Sequence, residues 1–237
     1  MTRGEIKQFA KALLGVDNLG DDESLTDRQV DQSTNELCRA AGCFYLSYVV
    51  NLKEGQQLYS APPLYDPQAI SAILSDGKEV LLVKYTAKQL DDLCPLWRWD
   101  PNTNQPTTGD PICYIPNGLS TVWLYPVPDY DAENGLTMEG LGVPKDGHIS
   151  LWPDEHAQCP LPARGHEAVG YRLASLRCLQ RYAQEKDQSL LALRQQFEAE
   201  YRVLRGYVEA AAPEFIQQVR YRVVASGDTR TLEVVSQ

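Results

Sequence analysis

Between Leu161 and Val208 the chain carries two long amphipathic helical patterns separated by one short polar link, and each needs a surface to bury against. In the first, Val169, Leu173, Leu176, Leu179 and Ala183 recur at steps of three and four, which sets them on one helical stripe. In the second, Leu190, Leu193, Phe197, Tyr201, Leu204 and Val208 do the same. The Leu161-Pro162 step stops the chain just ahead of the first helix, and Pro162 stands where a missing N–H costs least. The link around Gln184 to Asp187 makes the two helices antiparallel neighbours, Pro213 is expected to end the second, and Glu198 is placed to pair with Arg202 on its outer face.

A second helical pair is predicted at the start. Ile6, Phe9, Ala10, Leu13 and Leu14 form a short stripe closed by Gly15, and Thr26 with Gln29 has the form of a capping box ahead of Val30, Thr34, Leu37 and Ala41, closed by Gly42. From Phe44 the period changes to that of strands. Tyr45 to Val50 is rich in aromatic and β-branched residues, and the turn at Glu54-Gly55-Gln56 predicts a hairpin with Gln57-Leu58-Tyr59. Asp76-Gly77 between Ala69–Leu74 and Val80–Val83, and Asn117-Gly118 between Ile112–Ile115 and Thr121–Tyr125, predict two more. Thr86 to Leu93 reads as one or two helical turns, Asp100 to Pro111 as a loop, and Leu136 to Leu141 as a last strand.

The order gives an α+β protein: a helical bundle from N-terminal and C-terminal helix pairs with an inserted antiparallel β region, plus a C-terminal extension. The divisions read 1–43 for the first helices, 44–160 for the β-rich insertion, 161–212 for the second helix pair and 213–237 for an arm. In that arm Val219, Tyr221 and Val223 alternate with arginines, then Gly227-Asp228 precedes Thr231 to Val235, a strand-turn-strand pattern. It reads either as a local hairpin or as an arm that adds a strand to a neighbour's sheet edge.

Composition narrows the function. With 22 basic and 32 acidic residues the net charge is −10, which opposes binding to a phosphate backbone through counterion release. The charge fits a solvated acidic surface, or an acidic wall past which a polyanion slides. Six cysteines without a Cys-x-x-Cys pair are expected to be reduced and mostly buried, as in a cytosolic product. The first residues lack the apolar core of a signal peptide, and no run approaches a membrane span.

No nucleotide-binding glycine loop, Gly-x-Ser-x-Gly elbow, His-Glu-x-x-His pair or calcium loop occurs. His148, His156, Cys159 and His166 form the best zinc candidate, but their intervals are irregular and Pro160 and Pro162 stiffen the run. Cys159 with His148 or His166 is the best thiol nucleophile candidate, again without a local motif. Asp91-Asp92 and Asp21-Asp22-Glu23 read as solvated charge runs, and Trp97, Trp99, Trp123 and Trp152 as core residues of a β region more than as a sugar-binding surface.

Four motifs in order carry a resemblance. Trp123-Leu124-Tyr125-Pro126-Val127-Pro128-Asp129 resembles the strand ending in Leu-Tyr-Pro-x-Pro-Asp of tailed-phage head-to-tail adaptor proteins. Leu161-Pro162 followed by His166-Glu167-Ala168-Val169 is similar to the entry into their penultimate helix, with Gly165 where the family carries Tyr. Asn35-Glu36-Leu37 resembles an element of their second helix, and Leu58-Tyr59-Ser60-Ala61-Pro62 their strand ending in Pro. The similarity spans most of Met1 to Val208.

The resemblance implies a virion structural protein, made in the host cytoplasm and placed at the capsid–tail neck. It implies a ring, expected to have twelve copies, below the portal, contacting portal and tail or neck proteins, with packaged DNA passing through its lumen without specific binding. It implies no catalysis and no cofactor, and from the residues no metal site and no membrane contact are expected. The candidate portal or neighbour contacts are Phe215, Ile216, Val219, Tyr221 and Val223, and the candidate ring-forming helix face is Phe197, Tyr201 and Leu204. The alternatives are a tail completion or baseplate protein and a zinc- or thiol-dependent enzyme.

Overall fold

A computed structural model describes residues 1–15, 25–61, 64–98, 105–118, 121–143, 161–218, 220–226 and 229–235. Within them the protein is mixed α+β, with five helices and two sheets. It divides into two compact units, Met1–Phe44 with Val143–Val219, and Tyr45–Gly142 with Arg220–Gln237.

The helical unit is built from α1 (Arg3–Leu13), α2 (Asp27–Ala41), α4 (Gly165–Glu185) and α5 (Gln188–Gln218), while α3 (Ala87–Leu93) belongs to the other unit. Both N-terminal helices start at a reciprocal capping box, Thr2 with Glu5 and Thr26 with Gln29, so two orphan donors are satisfied at each start. Gly42 ends α2 in the left-handed conformation at φ +59°, its N–H donating to the Cys38 carbonyl. The helices α4 and α5 form a hairpin over Lys186-Asp187 and bury Ala174, Cys178 and Phe197 together. Helices α1 and α2 pack mainly onto this hairpin and only slightly onto each other.

Three details of the helical reading change. Pro213 does not end α5, which runs on to Gln218. Proline removes one N–H, the one that would have bonded to the Glu209 carbonyl, and Glu209 stands on the exposed side of the helix. Leu179 and Ala183 are exposed, because the buried face of α4 drifts to Gly170, Ala174 and Cys178, where small residues admit the neighbouring helices. Glu198 turns inward to Arg172 instead of pairing with Arg202.

The β unit holds a six-stranded sheet of order β10-β9-β1-β8-β3-β4 and a four-stranded sheet of order β2-β7-β6-β5. Its strands are β1 (Tyr45–Leu52), β2 (Leu58–Ser60), β3 (Leu64–Ile73), β4 (Glu79–Leu81), β5 (Val83–Lys84), β6 (Cys113–Pro116), β7 (Thr121–Tyr125), β8 (Ala132–Gly142), β9 (Arg220–Ser226) and β10 (Thr229–Val235). The Asp76-Gly77 and Asn117-Gly118 hairpins form as expected, β3 with β4 and β6 with β7. The hairpin expected between β1 and β2 does not. The turn at Gly55 is present, yet β2 crosses to the second sheet and pairs with β7, because β8 and β9 occupy both edges of β1.

Gly140 fixes the centre of the large sheet. A Cβ there would meet the Pro67 Cα and the Gln68 nitrogen at 2.9 Å, since β3 bulges toward β8 between Pro67 and Ala69. Helix α3, also begun by a capping box from Thr86 to Gln89, covers the small sheet through Leu90, packed with Trp97, Cys113, Ile115 and Tyr125. The arm forms two antiparallel strands, β9 and β10, and β9 lies parallel to β1 of the same chain, Tyr48 opposite Val223.

Candidate assembly surfaces

The motif residues occupy points where elements are tied together. In Leu124-Tyr125-Pro126-Val127-Pro128-Asp129, Leu124 and Val127 are fully buried, and the Val127 backbone donates to Thr107 and accepts from Gly109. The Pro128 carbonyl accepts from the Gly55 N–H at 2.8 Å, the Asp131 carboxylate accepts from the Glu54 N–H, and the Tyr130 hydroxyl donates to the Ile73 carbonyl at 2.9 Å. Burial, with nearby Asp110, pushes the Tyr130 phenol far above its ordinary range. The motif and the two residues after it thus tie the small sheet to the Gly55 turn and the end of β3.

At the entry to α4, the Gly165 N–H donates to the Pro162 carbonyl, and a Cβ on Gly165 would stand 2.8 Å from that of Leu161. Glycine fits where the turn folds back this tightly. Glu36 of the Asn-Glu-Leu element pairs with Arg172 at 2.9 Å, and Arg172 also reaches Glu198 at 2.5 Å, which accepts from the Ser175 hydroxyl as well. Arg172 further lies over the Tyr201 ring. One guanidinium therefore joins α2, α4 and α5.

The candidate ring-forming residues Phe197, Tyr201 and Leu204 lie inside the helical unit, at 4, 5 and 6% exposure. The opposite side of α5 shows Val203 and Tyr207 with Gly206 between them, and Arg164 stacks on Tyr207 at 4.7 Å from the ring centre. A depression of about 300 Å³ on the same helix is lined by Arg194, Gln195, Glu198, Ala199 and Arg202. Of the arm contacts, Phe215 and Ile216 are half-buried near the end of α5, and Tyr221 and Val223 lie on β9. Val219 falls outside the described residues.

In the β unit Trp97 is fully buried, its indole N–H donating to Asp91, and its ring meets those of Trp123 and Tyr125. The Arg98 guanidinium lies over Trp97 at 4.8 Å. Asp91 is therefore a partner of tryptophan and arginine, not half of a carboxylate dyad. The Cys113 thiol donates to the Tyr125 carbonyl at 3.6 Å, and burial pushes it up to about 11. The free edges carry exposed apolar side chains, Val80 and Leu81 on β4 and Val83 on β5, with Ile112 beside them.

His148, His156 and Cys159 lie outside the described residues, as do Trp99, Trp152, Asp21, Asp22 and Glu23. His166 is half-buried in the first turn of α4. No group of three or more His, Cys, Asp or Glu able to hold a metal occurs among the described residues. No helix among them is long and apolar enough to cross a membrane.

Together these features define an α+β scaffold whose distinctive residues serve packing and presentation. The chain belongs to the SU10 adaptor protein family, whose model matches residues 1–227. No curated protein matches it. Membership agrees with the resemblance to head-to-tail adaptors and makes the chain a structural component of the phage virion, interacting with other head and tail proteins.

Proposed function

We propose that the protein is a head-to-tail adaptor that assembles as a twelve-copy ring below the portal, extends the DNA channel and receives the tail. The family match over nearly the whole chain carries this reading. A closed ring needs two different faces on each subunit, and the long helix α5 and the open strand edges are surfaces of different kind on one chain. The net charge of −10 suits a lumen that DNA crosses without being held.

The arm is the proposed contact element. Among the described residues β9 and β10 join the rest of the sheet through one ladder, the parallel pairing of β9 with β1. Phe215, Ile216, Val219, Tyr221 and Val223 then mark the path by which the end of α5 and the first arm strand reach the portal or a neighbouring subunit. Crosslinking within purified virions tests the placement. Crosslinks to portal subunits support it, and crosslinks confined to tail or baseplate proteins refute it.

A further inference from the structure

The Cys38 and Cys43 sulfurs lie 3.9 Å apart, both side chains fully buried. Cys38 sits in the last turn of α2, and Cys43 stands two residues before β1. The left-handed Gly42, its N–H bonded to the Cys38 carbonyl at 2.9 Å, turns the chain back so that two residues five apart face each other. The other described thiols have different surroundings: Cys94 meets the Tyr125 hydroxyl, Cys113 the Tyr125 carbonyl, and Cys178 the apolar interior of the helical unit.

We infer that Cys38 and Cys43 form a dithiol that closes to a disulfide when the protein meets an oxidising medium, covalently fastening the turn between α2 and β1. Closure requires the sulfurs to approach from 3.9 Å to the disulfide bond length of about 2.05 Å, a side-chain rotation with a small shift of the turn. With oxidised glutathione as the oxidant, the Cys43 thiolate attacks one glutathione sulfur and releases glutathione thiolate. The Cys38 thiolate then attacks the Cys43 sulfur of that mixed disulfide, forming the internal bond and releasing the second glutathione. Both cysteine protons pass to solvent, the dithiol is oxidised by two electrons and glutathione disulfide is reduced by two.

The Cys38 thiol beside it, able to donate to a Cys43 thiolate, holds the Cys43 thiol below its ordinary range, which favours Cys43 as the first attacker. Burial makes entry the slow step, gated by opening of the last turn of α2, where Arg39 and Ala40 are exposed. A virion component is made in a reducing cytosol and works outside it, so the pair stays reduced during assembly and closes afterwards. The inference is independent of the ring reading.

Trypsin cuts after Arg28, Arg39 and Lys53, so the two cysteines fall in separate peptides, Gln29 to Arg39 and Ala40 to Lys53, neither holding another cysteine. The full-length protein is incubated with oxidised glutathione, alkylated and mapped by non-reducing mass spectrometry. The expected result is a linked pair of these two peptides, reversed by dithiothreitol, with melting raised by about 2–5 °C in the oxidised form. Cys38→Ser is expected to halt at a Cys43 glutathione adduct. Recovery of both peptides alkylated, both as separate glutathione adducts, or either joined to another cysteine would overturn the inference.

Discussion

Arg172 and Glu198 meet at 2.5 Å between α4 and α5, with 19% of each side chain exposed. The same guanidinium holds Glu36 of α2, so one cation answers two carboxylates from two different helices. Replacing it leaves those carboxylates close together without a counter-charge. Arg172→Ala is therefore expected to cost about 2–4 kcal/mol by urea denaturation. Glu36→Gln, at a more exposed carboxylate, is expected to cost less than 1 kcal/mol.

Two glycines predict opposite signs. Gly140 lies against the backbone of the β3 bulge, which cannot give way as a flexible side chain would. Gly140→Ala is expected to destabilise by about 2–3 kcal/mol. Gly206 has open space around its missing Cβ, so Gly206→Ala is expected to raise stability by up to about 1 kcal/mol. Thermal melts of both variants against the native protein check the pair, and a loss of stability at Gly206 would contradict an open position there.

The β unit is expected to weaken in alkali. Burial raises Cys113 to about 11, and Tyr59, Tyr114, Tyr125 and Tyr130 are raised as well. A raised acid keeps its proton in the folded state after the unfolded chain has lost it. The stability it contributes is thus complete below the unfolded value of 9.0 for the thiol and is lost as pH rises toward about 11. Denaturation midpoints are expected to be flat to pH 8.5 and to fall above it, with the Cys113 share about 2–3 kcal/mol. Cys113→Ala is expected to flatten part of that slope; an unchanged slope would refute the assignment.

Much of this architecture is written locally. The capping box at Thr26, the helix end at Gly42 and the turns at Gly77 and Gly118 each follow from residues within a few positions, and each appears where those residues put it. The buried stripe of α5 from Leu190 to Val208 is equally plain. What the residues leave open depends on distant partners. Leu58 to Ser60 has the same pattern whether it pairs with β1 or β7, and the choice rests on which edges of β1 are already filled. Glu198 faces an arginine one turn away in sequence and another across the helix interface, and burial favours the second. Pro213 reads locally as a helix end, yet α5 continues through it on a side where Glu209 is exposed. Of the candidate contacts, Phe197, Tyr201 and Leu204 follow the apolar stripe faithfully, but a stripe marks the interior of one subunit as readily as a face between subunits.

The arm supplies another test. Val223 pairs with Tyr48 on β1 and Leu232 on β10, so Val223→Pro removes a ladder donor at the middle of β9. Limited proteolysis is expected to cleave the variant within the arm while the helical content stays unchanged. If the arm is the contact element, the variant also loses binding to portal rings.

Mixing the full-length protein with purified portal rings and imaging the product by electron cryomicroscopy tests the adaptor role. A ring of added density below the portal, continuous with its channel and built from identical copies of this chain, is the expected product. Portal rings that emerge bare from a saturating excess of the protein would contradict it.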